Sequence, residues 1–106
     1  MPGATYVNTI QASASVTGTA VTGGGGGTVT MYTVPADNFV IFQWTVTSIV
    51  ATNYVRLAID GNLVHNATVN FEHRDGIYAG PGAVIAHQGD GAGASAMTGV
   101  LFANSV

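Results

Sequence analysis

TVTMYTVPADNFVIFQWTVTSIV, residues 28–50, decides the fold. Polar and apolar residues alternate up to Val34, break at Val-Pro-Ala-Asp-Asn, and alternate again up to Val50. Side chains point to opposite faces along a strand, so a period of two reads as β-structure with one buried face. Pro35 has a fixed φ and no N–H, which suits a turn or an edge and not a central ladder. Beyond it Val40, Phe42, Trp44, Val46 and Val50 share one face. Gln43, Thr45 and Thr47 share the other, where Phe39 and Ile41 are apolar exceptions. The stretch is two strands around a proline turn, the second about a dozen residues long.

Downstream, Tyr54 to Ile59 alternates with Val55, Leu57 and Ile59 inward. Asp60-Gly61-Asn62 is a hairpin signal, because these residue types tolerate positive φ. Leu63 to Phe71 reads as the returning strand, with Leu63, His65, Ala67, Val69 and Phe71 on one face. Residues 72–76 read as a polar turn. Two short strands, Ile77–Ala79 and Ala83–Gln88, flank Gly80-Pro81-Gly82. The last strand, Ala94 to Ala103, has Met97, Leu101 and Ala103 on one face and Ala96, Val100 and Phe102 on the other. Apolar residues on both faces imply cover on both sides.

Upstream, residues 1–22 are uncharged and rich in Ala, Ser, Thr and Val, and read as an extended arm or an edge strand. Gly23 to Gly27 is an uninterrupted glycine run, read as a flexible linker. It lacks the Gly-Lys-Ser/Thr ending of a phosphate loop. No segment carries the period of an amphipathic helix. The expected fold is all-β: a single antiparallel β-sandwich, jelly-roll-like, with an extended N-terminal arm. Residues 1–27 would be arm and linker, and residues 28–106 the body.

The length of 106 residues fits one domain. Only 7% of residues are charged, against roughly 25% in ordinary soluble domains. A surface this neutral suits contact with other subunits better than a free monomer. There is no lysine, and Arg56 and Arg74 are the only cations besides the chain's own terminus. Two arginines cannot line a phosphate backbone, so no nucleic-acid partner is expected. No apolar run is long enough for a helical membrane span, and the N-terminus lacks the basic and apolar regions of a signal peptide. The absence of cysteine removes disulfides and thiol chemistry.

YTVPADN at 32–38, AIDGN at 58–62, IYAGPGAVI at 77–85 and SAMTGVLF at 95–102 together resemble the small jelly-roll β-domains of tailed-bacteriophage virion proteins. The resemblance runs from about Thr28 to Ala103 and leaves the first 27 residues outside it. It implies a virion structural protein: a capsid decoration (cement) protein, or a tail or fibre component. It would be assembled in the host cytoplasm and contact the major capsid protein or neighbouring virion subunits. A homo-oligomer is expected, with a trimer as the anticipated form.

The residues that could carry chemistry are few. His65, His73 and His87 are the imidazoles, and Glu72 and Asp75 lie near His73. Their spacing matches no metal-ligand pattern, so no metal or cofactor is expected. Histidines at subunit contacts would make assembly pH-sensitive, an idea that flat stability between about pH 5 and 8 would remove. Ser95 has no Gly-x-Ser-x-Gly elbow, and the acids lie in or beside turns, so the chain reads as a non-enzyme. Asp60-Gly61 and Asp90-Gly91 are read as turns and not calcium loops. Trp44 is assigned to the core. The surface aromatics would be Tyr6, Tyr54 and Tyr78, the features on which a carbohydrate- or receptor-binding module would rest. Tyr6, Ile10, Val16, Tyr54 and Tyr78 are the candidate partner contacts. Residues 1–22 are the candidate reaching element, able to add a strand to a neighbour's sheet. Their deletion is expected to leave a folded body that no longer attaches.

Overall fold

A computed structural model of the chain describes the backbone of residues 9–105 and the side chains of residues 14–103. Eight strands follow in order: β1 (Thr9–Thr22), β2 (Gly27–Thr33), β3 (Asn38–Ile49), β4 (Val55–Ile59), β5 (Asn62–Ala67), β6 (His73–Ala79), β7 (Val84–Gly89) and β8 (Gly93–Ser105). They form an all-β sandwich of two antiparallel four-stranded sheets. Sheet A has the order β1-β8-β3-β6 and sheet B the order β2-β7-β4-β5. The pairs β1·β8, β2·β7, β3·β6 and β4·β5 are nested. The chain thus runs as one long antiparallel ribbon rolled across two sheets, and β3·β8 and β4·β7 complete the ladders.

The alternation read from residues 28–50 fills the core. Val40, Phe42, Trp44 and Val46 of β3 are buried against Val55 and Leu57 of β4, Ile85 of β7 and Met97 of β8. A buried aliphatic or aromatic side chain of this kind contributes about 1.5–3 kcal/mol through apolar area removed from water. Val50 is exposed instead of sharing that face. The β3·β8 register shifts between Val46 and Ser48, and the parity of the strand ends there. Asp60 (φ 53°) and Gly61 (φ 80°) form the two-residue turn of the β4–β5 hairpin. Asp60 also anchors that turn to β7, accepting at Oδ1 from the Val84 amide at 2.9 Å.

Three readings change. Of arm or edge strand, residues 9–22 form the edge strand: they pair with β8 from Thr9↔Ser105 to Thr22↔Gly93. Ala20 and Thr22 are buried, so the sandwich begins at β1 and not at residue 28. The glycine run is a tight turn, closed by Gly26 N–H donating to the Gly23 carbonyl at 2.9 Å. Gly26 has φ +72°, and a Cβ there would lie 2.4 Å from the Gly89 carbonyl oxygen. The run lets β1 cross to sheet B past the β7–β8 loop, which needs glycine at that position.

The returning strand after Asn62 stops at Ala67, and Val69 and Phe71 stand exposed in the following loop. A register shift between Leu57 and Ala58 interrupts the β4·β5 ladder, and Leu63 is exposed. Conversely, the polar stretch 72–76 is mostly strand: β6 begins at His73, with an irregularity opposite Phe42/Trp44 and Gly76 at φ 65°. β8 buries Ser95, Met97 and Gly99, but its other face looks outward, and no element among the described residues covers it.

Candidate functional site

The three imidazoles lie in three different environments. His87 of β7 is fully buried between the sheets. Its Nδ1 lies 2.6 Å from Ser95 Oγ on β8, and its Nε2 lies 3.2 Å from Thr22 Oγ1 on β1. Thr22 donates its one hydroxyl proton to the Gly91 carbonyl at 2.8 Å. Thr22 therefore accepts from Nε2–H, and the neutral tautomer leaves Nδ1 to accept from Ser95. Burial holds the imidazole below its ordinary pKa, because the charged form loses its hydration. A Ser–His pair at this distance has the spacing of a nucleophile and its base. Here both members are buried, and the outer position next to His87 is filled by threonine and not by a carboxylate. The network's evident work is to join β1, β7 and β8 across the core.

His65 of β5 stacks on the Trp44 indole, 6.5 Å between centroids and 14° between planes. Its pKa is also lowered, by burial first and then by Arg74, with Glu72 opposing. Trp44 Nε1 is buried without a hydrogen-bond partner. His73 lies on the outside of β6, between Thr45 Oγ1 at 2.6 Å and Asp75 Oδ1 at 2.7 Å. Among the described residues, no three His, Asp or Glu side chains converge as a metal set.

The candidate contacts scatter. Tyr6 lies outside the described residues, as does the side chain of Ile10, whose backbone pairs with Asn104 in sheet A. Val16 is half-buried against the core, so it is not a free contact. Tyr54 is half-buried in the loop before β4, with the Arg56 guanidinium carbon 3.9 Å from its ring centroid. Tyr78 is exposed, on the outer face of sheet A, where Phe39 stands 5.6 Å from it and 5.1 Å from Phe102, centroid to centroid. Tyr54 and Tyr78 thus belong to opposite sheets and form no common site.

Two surface features were missed in the residue pattern. An open groove of about 350 Å³ crosses the outer face of sheet A, lined by all four of its strands. Its lining comes from four separate strands of the sequence, and only strand register brings them together. The second feature is the loop after β5. Phe71 is 76% exposed, with φ 62°, a conformation a bulky residue adopts only under constraint. The constraint is visible: Phe71 N–H donates to the Val46 carbonyl at 2.8 Å, and Val46 N–H donates to the Glu72 carbonyl at 2.9 Å. The unexpected apolar residues at Val69 and Phe71, outside any strand, were the available signal.

No family model matches the chain, and neither a curated protein nor a solved structure matches it.

Proposed function

We propose that this is a structural protein of a tailed-phage virion: a capsid decoration (cement) protein that forms a homo-oligomer, with a trimer as the expected form, and stabilises the head. The observation that carries the reading is the band of apolar side chains left in water along one edge of the sandwich. Leu63, Val64, Val69 and Phe71 are all exposed there. Large apolar side chains exposed on one edge strand and the loop after it suit an interaction surface. Phe71 is presented by a backbone held in the left-handed region, and such strain concentrates where a surface has work to do. The nested strand order of the two four-stranded sheets suits the jelly-roll-like reading. A composition with 7% charged residues suits the assembly reading. The reaching-arm idea survives only for residues before β1, because residues 9–22 are committed to sheet A.

Sedimentation equilibrium and copy counting in purified particles test the proposal together. The expected outcome is a discrete oligomer at micromolar concentration and hundreds of copies per particle, located on the head. A monomer in solution that is absent from particles overturns it. A handful of copies assigns the protein to a tail or fibre instead.

A further inference from the structure

The groove on sheet A is built from neutral hydrogen-bonding groups beside an aromatic shelf. Its walls carry Ser15 of β1, Gln43 of β3, Thr98 of β8 and Asp75 of β6. Gln43 and Thr98 are register partners, as are Ile41 and Val100, which line the groove one row along. Tyr78 lies opposite Ile41, and Phe39 and Phe102 continue the aromatic shelf. No side-chain hydrogen bond among the described residues engages Ser15, Gln43 or Thr98. These groups offer two hydroxyls and one amide, donors and acceptors both. Asp75 turns one oxygen to His73 and keeps its other acceptor.

The chemistry selects the ligand class. An anion has no counter-charge here, since Arg74 on the same strand is paired with Glu72 and the His73 carbonyl. A purely apolar ligand would bury the amide and hydroxyls without partners, at a cost. A pyranose ring carries apolar C–H faces and a rim of hydroxyls, which match an aromatic surface and neutral polar groups in turn. We propose that this groove binds a neutral carbohydrate. The proposal is independent of the assembly reading, because it uses the outer face of sheet A and not the apolar band beside β5.

The test is a titration of isotope-labelled protein with neutral oligosaccharides: glucans, mannans, galactans and N-acetylglucosamine oligomers. Amide shifts are followed up to about 10 mM ligand, enough to fill a site of millimolar Kd. The expected result is a saturable shift at Gln43, Thr98 and Gly99 with at least one glycan. Gln43→Ala and Asp75→Asn should each weaken it about five- to ten-fold, the worth of one hydrogen bond. Phe71→Ser should leave it unchanged. Each variant's amide spectrum reports whether it is folded. Thr98→Arg, which places a long side chain across an exposed wall, should abolish the shift in a folded protein. No shift with any glycan overturns the proposal, as does a shift confined to residues 63–71. If Thr98→Arg changes the oligomeric state and no glycan binds, the face is a contact between copies and the proposal fails.

Discussion

The sandwich has two long edges, and they are built on opposite principles. At the β1/β2 edge the chain seals itself. Gly18 of β1 lies so close to β2 that a Cβ would sit 2.4 Å from the Met31 carbonyl oxygen. Thr22 reaches His87 and the Gly91 carbonyl in the core. At the β5/β6 edge the chain stays open. Leu63, Val64 and Phe71 face water, and five of the seven charged side chains (Arg56, Asp60, Glu72, Arg74 and Asp75) lie on or next to it. A glycine lets one edge close, where Val21 is an exposed apolar residue, while several large apolar and charged residues furnish the other. The difference separates an edge closed within the chain from one left in water.

The largest expected effect comes from removing the sealed edge. Deleting residues 1–22 takes away β1, exposes the β8 ladder along its length, and strips Thr22 from His87. A buried His left with an unpaired Nε2–H costs about 1–3 kcal/mol on its own. The lost strand adds buried apolar area at Ala20 and Val16. Together these approach the whole stability of a small domain, about 5–15 kcal/mol. Circular dichroism should show loss of the cooperative thermal transition. A truncated protein that melts like the full chain would show that β1 is dispensable and the two edges are alike.

A middle-sized effect tests the network that joins β1 to β7 and β8. Burial lowers the pKa of His87 in the folded protein, and the unfolded chain titrates at the ordinary value near 6.5. Above that value neither state binds the proton, and stability does not depend on this group. As pH falls through it, the unfolded chain takes up the proton first, so stability drops until the folded protein protonates too. His65, shifted in the same direction, adds to the slope. The denaturant midpoint should therefore fall as pH drops below about 6.5, with a flatter profile in His87→Gln. An unchanged slope in that variant would remove His87 as the source. This contribution belongs to a core histidine and is separate from any made by a histidine at a subunit contact.

Much of this was legible in residues and much was not. Trp44, the Asp60-Gly61 turn and the strands around Pro35 follow from alternation and turn chemistry, which are local. The standing of β1 was hidden because Ala14, Ser15 and Gly18 look like linker composition. The smallness of Gly18 is what lets β1 lie directly on β2. The glycine run reads as freedom in one dimension and is a close crossing at Gly26 in three. The sheet A groove depends on the registers of β1, β3 and β6 with their neighbours, which no single segment encodes. Phe71 looked like an inward strand residue because the alternation carries past Ala67, where the strand has already ended.

The smallest effect on stability is the sharpest on the comparison. Phe71 at φ 62° carries a cost that glycine would not, about 1–2 kcal/mol for a left-handed L-residue. Its side chain is 76% exposed, so little burial is lost on removing it. Glycine gives back part of the gain through extra freedom in the unfolded chain, about 0.4–1 kcal/mol. Phe71→Gly should therefore leave thermal stability unchanged or raise it by up to about 1 kcal/mol, while sedimentation shows weaker self-association. A substitution that helps the monomer and harms the oligomer marks a residue kept for its contacts. If Phe71→Gly destabilises the fold and leaves association intact, the open edge is held together by that ring. The aromatic side chain would then be part of the structure and not of an interface.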